Sequence, residues 1–162
     1  MAVTLFGGGH SVIQMQSTTF DGVTSTSVAG SPSTSNAGVQ LLAINFTPLS
    51  ASSKILVQTS TIGVAEEANG GDIPWVALWV GTTFVAANSG NWLYSHFAGS
   101  LNSIYANINH VWPSWGTVAQ VVQVRAGINA GTAYINGGSV TSYNYTGNSA
   151  RISMTVMEIT TT

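Results

Sequence analysis

The sequence predicts an all-β protein: an antiparallel jelly-roll sandwich of about eight to ten strands with a short N-terminal arm. Three observations point there. Glu, Lys and Arg, the charged helix formers, are nearly absent, while Gly, Ser and Thr occur throughout, and no stretch shows a convincing amphipathic helical period. Short runs rich in Val, Ile, Thr and aromatic residues recur between turn signals. Several of these runs alternate with the period of two that a half-buried strand requires. A chain of 162 residues is long enough for one domain with a proper core. The expected division is an arm over residues 1–10 and a single domain over 11–162.

Taken in order, the arm ends at His10, with Gly7 to Gly9 as a flexible joint. Val12 to Gln16 is the first expected strand and Val23 to Val28 the second, followed by a Ser/Pro/Asn loop from Gly30 to Gly38. Val39 to Phe46 and Lys54 to Ile62 form the central pair, joined by the turn Thr47 to Ser53. Pro48 fixes φ and has no amide donor, so it ends the first strand of the pair. The Ser hydroxyls can satisfy turn amides locally. Glu66 to Asp72 reads as an exposed acidic loop, and Ile73 to Val80 as a strand with Pro74 tolerated near its start. Gly81 and Thr82 turn the chain into Thr83 to Ala87. Asn88 to Leu101 is expected to be a long loop. Ile104 to Trp112 is the next strand, ended by Pro113, then Thr117 to Ala126, Thr132 to Ile135, and the closing strand Arg151 to Thr160.

The alternation bears on assembly. In the closing strand Ile152, Met154 and Val156 share one face, and Arg151, Ser153 and Thr155 the other. Val39 to Phe46 is largely apolar on both faces, with Val39, Leu41 and Ala43 against Leu42, Ile44 and Phe46. Trp75, Ala77 and Trp79 against Val76, Leu78 and Val80 repeat the pattern. Strands apolar on both sides need cover on both sides, and a two-layer domain covers one. The second cover is expected from another copy of the chain. Leu41, Ala43, Trp75, Trp79, His110 and Trp112 are therefore the expected core or subunit-interface residues.

Composition excludes several functions. Charged residues make up 5% of the chain, against about 25% in ordinary domains. A polar but uncharged surface suits a protein locked into a larger assembly or working outside a cell. Lys54, Arg125 and Arg151 are the whole basic complement, too few for a phosphate-binding patch, so no nucleic-acid partner is expected. No apolar run approaches the roughly 18 residues of a membrane span. The N-terminus lacks a basic region with a following apolar run, so synthesis without an export signal is expected. With no cysteines, disulfides and thiolate metal sites are ruled out.

Catalysis is not expected. No Gly-x-Ser-x-Gly elbow occurs, and Glu66 and Glu67 are adjacent rather than opposed across a cleft. The same residues with Asn69 and Asp72 could supply oxygen ligands to Ca²⁺, but the spacing is not that of an EF-hand, and a solvated loop is the simpler reading. His10, His96 and His110 lack metal-ligand spacing, and no cofactor is expected. His110 shares its expected strand face with Ile104, Ala106, Ile108 and Trp112, which suits a core or interface histidine; three symmetry copies around an axis are the alternative. Glu158 falls on an inward face, where a carboxylate needs a cation or several donors. An ion pair with Lys54, Arg125 or Arg151 is expected. Trp92, Tyr94 and Trp115 are either core residues or, if exposed, platforms for sugar stacking.

One resemblance runs through nearly the whole chain, from Ser11 to Thr160. The segment Phe46 to Val57 (Phe-Thr-Pro-Leu-Ser-Ala-Ser-Ser-Lys-Ile-Leu-Val), the hairpin Val76 to Phe84, the strand Val121 to Ala126, the turn Tyr134 to Gly137 and the strand Arg151 to Ile159 resemble a recurrent domain of bacteriophage tail fibres and other virion surface proteins. The resemblance implies a trimeric jelly roll of the tumour-necrosis-factor kind. It also implies a place on the virion surface and, as partners, further copies of the chain with the phage major capsid protein or a tail adaptor. Only about ten residues precede the domain, which favours a capsid decoration (cement) protein whose arm, through Val3, Leu5 and Phe6, grips the shell. The alternative is a fibre tip that binds host surface glycan through Trp92, Tyr94 and Trp115.

Overall fold

A computed structural model describes residues 3–6, 10–22, 24–34, 37–66, 73–89, 92–94, 101–136 and 151–161. Among them there are fourteen strands and no helix. All pairings are antiparallel and form three sheets. Sheet I orders β1 (Val3–Phe6), β2 (His10–Asp21), β14 (Arg151–Thr161), β5 (Lys54–Thr59) and β11 (Asn109–Pro113). Sheet II orders β3 (Thr24–Thr26), β13 (Ala133–Ile135), β6 (Ile62–Glu66), β10 (Leu101–Ala106) and β9 (Trp92–Tyr94). Sheet III orders β4 (Val39–Phe46), β12 (Gln120–Ile128), β7 (Pro74–Val80) and β8 (Thr83–Ser89).

Sheets I and II are two halves of one curved layer. Their strand orders correspond, because β2 runs on into β3, β5 into β6 and β10 into β11. The seam is stitched by backbone bonds: the Thr59 amide donates to the Ile108 carbonyl at 2.9 Å, and the Ser60 amide to the Ser153 carbonyl at 3.0 Å. The Ile108 amide donates to Thr59 Oγ1 at 2.8 Å, so the bend keeps its backbone groups satisfied. This layer packs on sheet III around one apolar core that includes Phe46, Ile55, Leu78, Val124 and Met154. The result is the expected all-β, jelly-roll-like sandwich.

The bend explains why there are more strands than the sequence pattern suggests. The expected strand Ile104 to Trp112 is two strands, β10 and β11, which belong to different sheets. Asn107 and Asn109 bracket the break, and Asn favours turns over strand interiors. Ile104, Ala106 and Ile108 accordingly fill the core, while His110 and Trp112 lie half-buried on the edge strand of sheet I. His110 and Trp112 keep the inward side, opposite Val57 and Ile55, but on a different strand from Ile104 and Ala106. Similarly, the expected strand Lys54 to Ile62 divides at Ser60 and Thr61. The first strand is twelve residues long rather than the five of Val12 to Gln16, and the expected loop Asn88 to Leu101 contains β9. The arm is also a strand: β1 pairs with β2 through Val3–Val12 and Thr4–Ser11. Residues 7–9 lie outside the described residues.

Candidate interaction surfaces

Glu158 is the buried charge among the described residues. It lies on the inner face of β14, paired across the sheet with Gln14 on β2 and Ile55 on β5, and is 0% exposed. No cation reaches it. Four donors do. The Leu49 amide donates to Oε2 at 2.8 Å and the Ser50 amide to Oε1 at 2.9 Å. Ser53 Oγ meets Oε1 at 2.5 Å, and Gln14 Nε2 donates to Oε2 at 2.6 Å. The expected ion pair is thus replaced by a cradle of neutral donors, as a buried carboxylate permits when its lone pairs are filled. Burial pushes the Glu158 carboxyl up, but the Leu49 amide, the Ser53 hydroxyl, the Gln14 amide and the Ser50 amide together hold it below its ordinary value. Lys54 lies on the opposite face of the sheet. Arg151 pairs instead with the exposed Asp21, Nε to Oδ1 at 2.6 Å.

This cradle gives the Pro-Ser turn its shape. Pro48 is buried while Leu49 is 64% exposed. Ser53 Oγ also faces the Ser50 carbonyl at 2.8 Å, and Ser50 and Ser52 hydroxyls meet at 3.0 Å. The two most specific pieces of the virion-type resemblance, Phe46 to Val57 and the Met157-Glu158-Ile159 end of β14, are therefore joined at one carboxylate.

Ala43, Trp75 and Trp79 belong to the outer face of sheet III, whereas Leu41, the extra residue of a bulge opposite Val124 and Arg125, packs into the main core. All seven residues of β7 are buried, so the doubly apolar pattern was correctly read as needing two covers. The second cover comes from the chain itself. Residues 27–34 with Ala37 and Gly38 fold over Trp75: the indole Nε1 donates to the Gly30 carbonyl at 2.9 Å. Its ring lies so close to Gly38 (φ 66°) and Gly127 that a Cβ on Gly127 would sit 2.8 Å from Trp75 Cζ2. Arg125, opposite Ala77 in regular register, reaches over the same face, and its guanidinium donates to the Ala37 and Gly38 carbonyls at 3.0 and 3.1 Å. Trp79 is covered by Phe84, edge to face at 5.8 Å. The buried Trp79 Nε1 has no hydrogen-bond partner among the described residues.

The outer face of sheet I is different. Register places Met157 between Met15 on β2 and Leu56 on β5, and Leu56 beside Val111 on β11. This row crosses four strands. Met15 is 63% exposed and Val111 54%. A bulge at Glu158/Ile159 leaves Ile13 beside the row, also exposed. On one side lies a polar row, with Ser17 Oγ and Thr155 Oγ1 at 3.0 Å. The sequence reading stopped at the polar residues Arg151, Ser153 and Thr155. Two residues further along the same alternation come Met157 and Ile159, which announce this apolar end.

The remaining candidates are scattered. His110 and Trp112 stand on β11 with ring centroids 5.8 Å apart. Trp115 caps Phe46 edge to face at 6.2 Å and donates Nε1 to the Val118 carbonyl at 2.9 Å, which makes it part of the core's lid rather than a sugar platform. Trp92 and Tyr94 are on β9, backbone-paired with Ser103 and Leu101. Their side chains, those of Val3, Leu5 and Phe6, and the acidic loop beyond Glu66 lie outside the described residues. So does His96. Among the described residues no group of three or more His, Asp or Glu is placed to hold a metal ion. One aromatic surface was missed. Tyr105 on β10 is 57% exposed and lies over Gly63 on β6, within 3.3 Å of where a Cβ would be. Tyr134 on β13 flanks the same strand at Ala65.

No family model matches the chain, and no curated protein does. Solved structures with some likeness include infectious bursal disease virus, Gx strain, at 14% identity and TM-score 0.37, covering 92% of this chain and 39% of that one. Latent PorU from Porphyromonas gingivalis is 15% identical with TM-score 0.35, covering 97% and 14%. An acetyl xylan esterase from the rumen bacterium Butyrivibrio proteoclasticus is 11% identical with TM-score 0.28, covering 90% and 31%. The chain thus spans well under half the length of each of these proteins, and no function is carried over from them.

Proposed function

We propose that this chain is a non-catalytic structural protein of a virion surface, a capsid decoration protein that self-associates as a trimer and ties neighbouring shell subunits together. The virion assignment rests on the resemblance of Phe46 to Val57, Val76 to Phe84 and Arg151 to Ile159. The observation that carries the assembly part is the outer face of sheet I. A chain with 5% charged residues that also carries an apolar row with exposed ends, Met15 and Val111, and a half-buried centre, Met157 and Leu56, has the surface of an assembly subunit, not of a free monomer. The second element is β1. It occupies the edge of sheet I, and among the described residues no strand pairs with its other side. A free strand edge can accept a strand from a shell subunit. The test is an electron-microscopy map of the particle together with binding of the purified protein to bare shells. Density for the protein on the shell, and reduced binding after deletion of residues 1–9, are the expected results.

A receptor-binding fibre tip is the second reading. The observation favouring it is Tyr105 lying across Gly63 with Tyr134 nearby: flat aromatic surface beside small residues suits stacking on the C–H face of a sugar. Binding of the purified protein to host glycans, abolished by Tyr105→Ala, would favour this reading over decoration.

A further inference from the structure

We propose that Glu158 is an acid-operated latch for the loop Thr47 to Ser53: ionised, it clamps the loop to the sheet, and protonated, it lets the loop swing away as a unit. Leu49, Ser50 and Ser53 all donate to Glu158. Gln14 Nε2, which donates to Oε2, also donates to the Thr47 carbonyl at 2.7 Å, so this fourth tie is set by the same carboxylate. Among the described residues, the other hydrogen bond from the loop to the body runs from the Ser114 amide to the Ser53 carbonyl at 3.1 Å. Inside the loop, the Ser52 amide and hydroxyl both meet Ser50 Oγ, and neither bond involves Glu158. The loop therefore has internal cohesion and one dominant attachment.

That attachment depends on charge. An ionised carboxylate only accepts, and hydrogen bonds to it are about twice as strong as neutral ones. A proton on either oxygen faces a shell made mostly of donors. Ser53 offers the one place for it. Its single hydroxyl proton now lies between Glu158 Oε1 at 2.5 Å and the Ser50 carbonyl at 2.8 Å. A protonated Oε1 can donate to Ser53 Oγ while the hydroxyl turns fully to Ser50. The neutral carboxyl is then accommodated, but the Leu49 and Ser50 amides lose their ionic acceptor. The strands on either side of the loop are held by ladders that do not involve Glu158's side chain, β4 on β12 and β5 between β14 and β11.

Few charged groups compete with Glu158 for this role. β4 carries no titratable residue. On β5 Lys54 lies on the opposite face. On β11 His110 sits one row along the inner face, opposite Val57, which in turn faces Val156. On β2 Asp21 is at the far end, paired with Arg151, and His10 is backbone-paired with Thr161.

Hydrogen–deuterium exchange followed by mass spectrometry, corrected for intrinsic rates, tests the latch. In the wild-type chain the peptide covering residues 47–53 should be protected at neutral pH. Protection should be lost on acidification, while the β5 peptide stays protected. Glu158→Gln should leave the loop exchanging fast at every pH with β5 still protected. Ser53→Ala, a milder change that keeps the fold, removes one donor and should move the loop's opening midpoint toward neutral pH. A loop that stays protected as long as β5 does, or a Ser53→Ala midpoint equal to wild type, would overturn the proposal.

Discussion

Sheets I and III both carry apolar side chains on their outer faces, and among the described residues only one of those faces is covered. On sheet III the tryptophans of β7 are sealed by Phe84 and by residues 27–34, Ala37 and Gly38, the last two held by the Arg125 guanidinium. On sheet I the row from Met15 to Val111 is open to solvent along its edges. The contrast shows that an apolar run in a sequence identifies a face needing cover without saying who supplies it. For β7 the cover lies in the same chain, in a Gly- and Ser-rich segment that looks like an ordinary surface loop. For β14 no described segment supplies it, and a neighbouring molecule is the proposed cover.

The sealed face should therefore be the costlier one to disturb. Trp75→Ala removes the ring under residues 27–34, Ala37 and Gly38 and should cost about 3–5 kcal/mol, a large share of a typical domain's stability. Urea unfolding measures it directly. An indole that was merely waiting for a subunit would cost far less in the isolated chain. Glu158→Gln comes next, at about 2–3 kcal/mol, because two backbone amides lose an ionic acceptor in a buried site. Its pH signature has a definite sign. The folded carboxyl sits below its ordinary value of 4.5, so the unfolded chain takes up the proton first. The stabilisation is full above that ordinary value and disappears as the pH falls through the folded one. Wild-type melting temperature should drop across that acid window, and the Glu158→Gln curve should be flatter there.

Arg125→Met should cost about 1–2 kcal/mol, by leaving the Ala37 and Gly38 carbonyls without their donor. Limited proteolysis within segment 27–38 should accelerate in this variant. Asp21→Asn should have the smallest effect of all. It breaks the ion pair with Arg151, but both side chains are exposed and the pair is screened by solvent. Arg151 and Glu158 stand on the same strand, seven positions apart, yet only the buried one governs stability.

These contrasts also show what the sequence made legible. The all-β class, the two strands flanking the Pro-Ser turn and the inward Glu158 follow from local rules of alternation and turn chemistry, but the expected central pair is not one: β4 and β5 belong to different sheets, β4 beside β12 and β5 between β14 and β11. The partner of Glu158 did not, because its donors come from β2 and from a turn more than one hundred residues earlier, and three-cation arithmetic pointed to an ion pair. Backbone amides are present at every residue and leave no mark in a sequence. The break of one expected strand at Asn107 was marked by its flanking asparagines, but its cause is tertiary: the layer bends there, and the two halves join different sheets. Ala43, Trp75 and Trp79 did fall on one outer face, whereas the bulge turns Leu41 into the main core. His110 and Trp112 lie on the edge strand of sheet I, opposite Val57 and Ile55.

The central claim is that the open face of sheet I, and not the tryptophan face of sheet III, is where copies of the chain meet. Sedimentation of Met15→Glu/Val111→Glu beside the wild type tests it most directly, with melting temperature measured on the same samples. Both positions are exposed, so the double variant should stay folded, its melting temperature falling only by what association contributes to the wild type. A wild-type trimer and a folded, monomeric double variant are the expected result. A double variant that sediments like the wild type, or a wild type that is itself monomeric at high concentration, would contradict it.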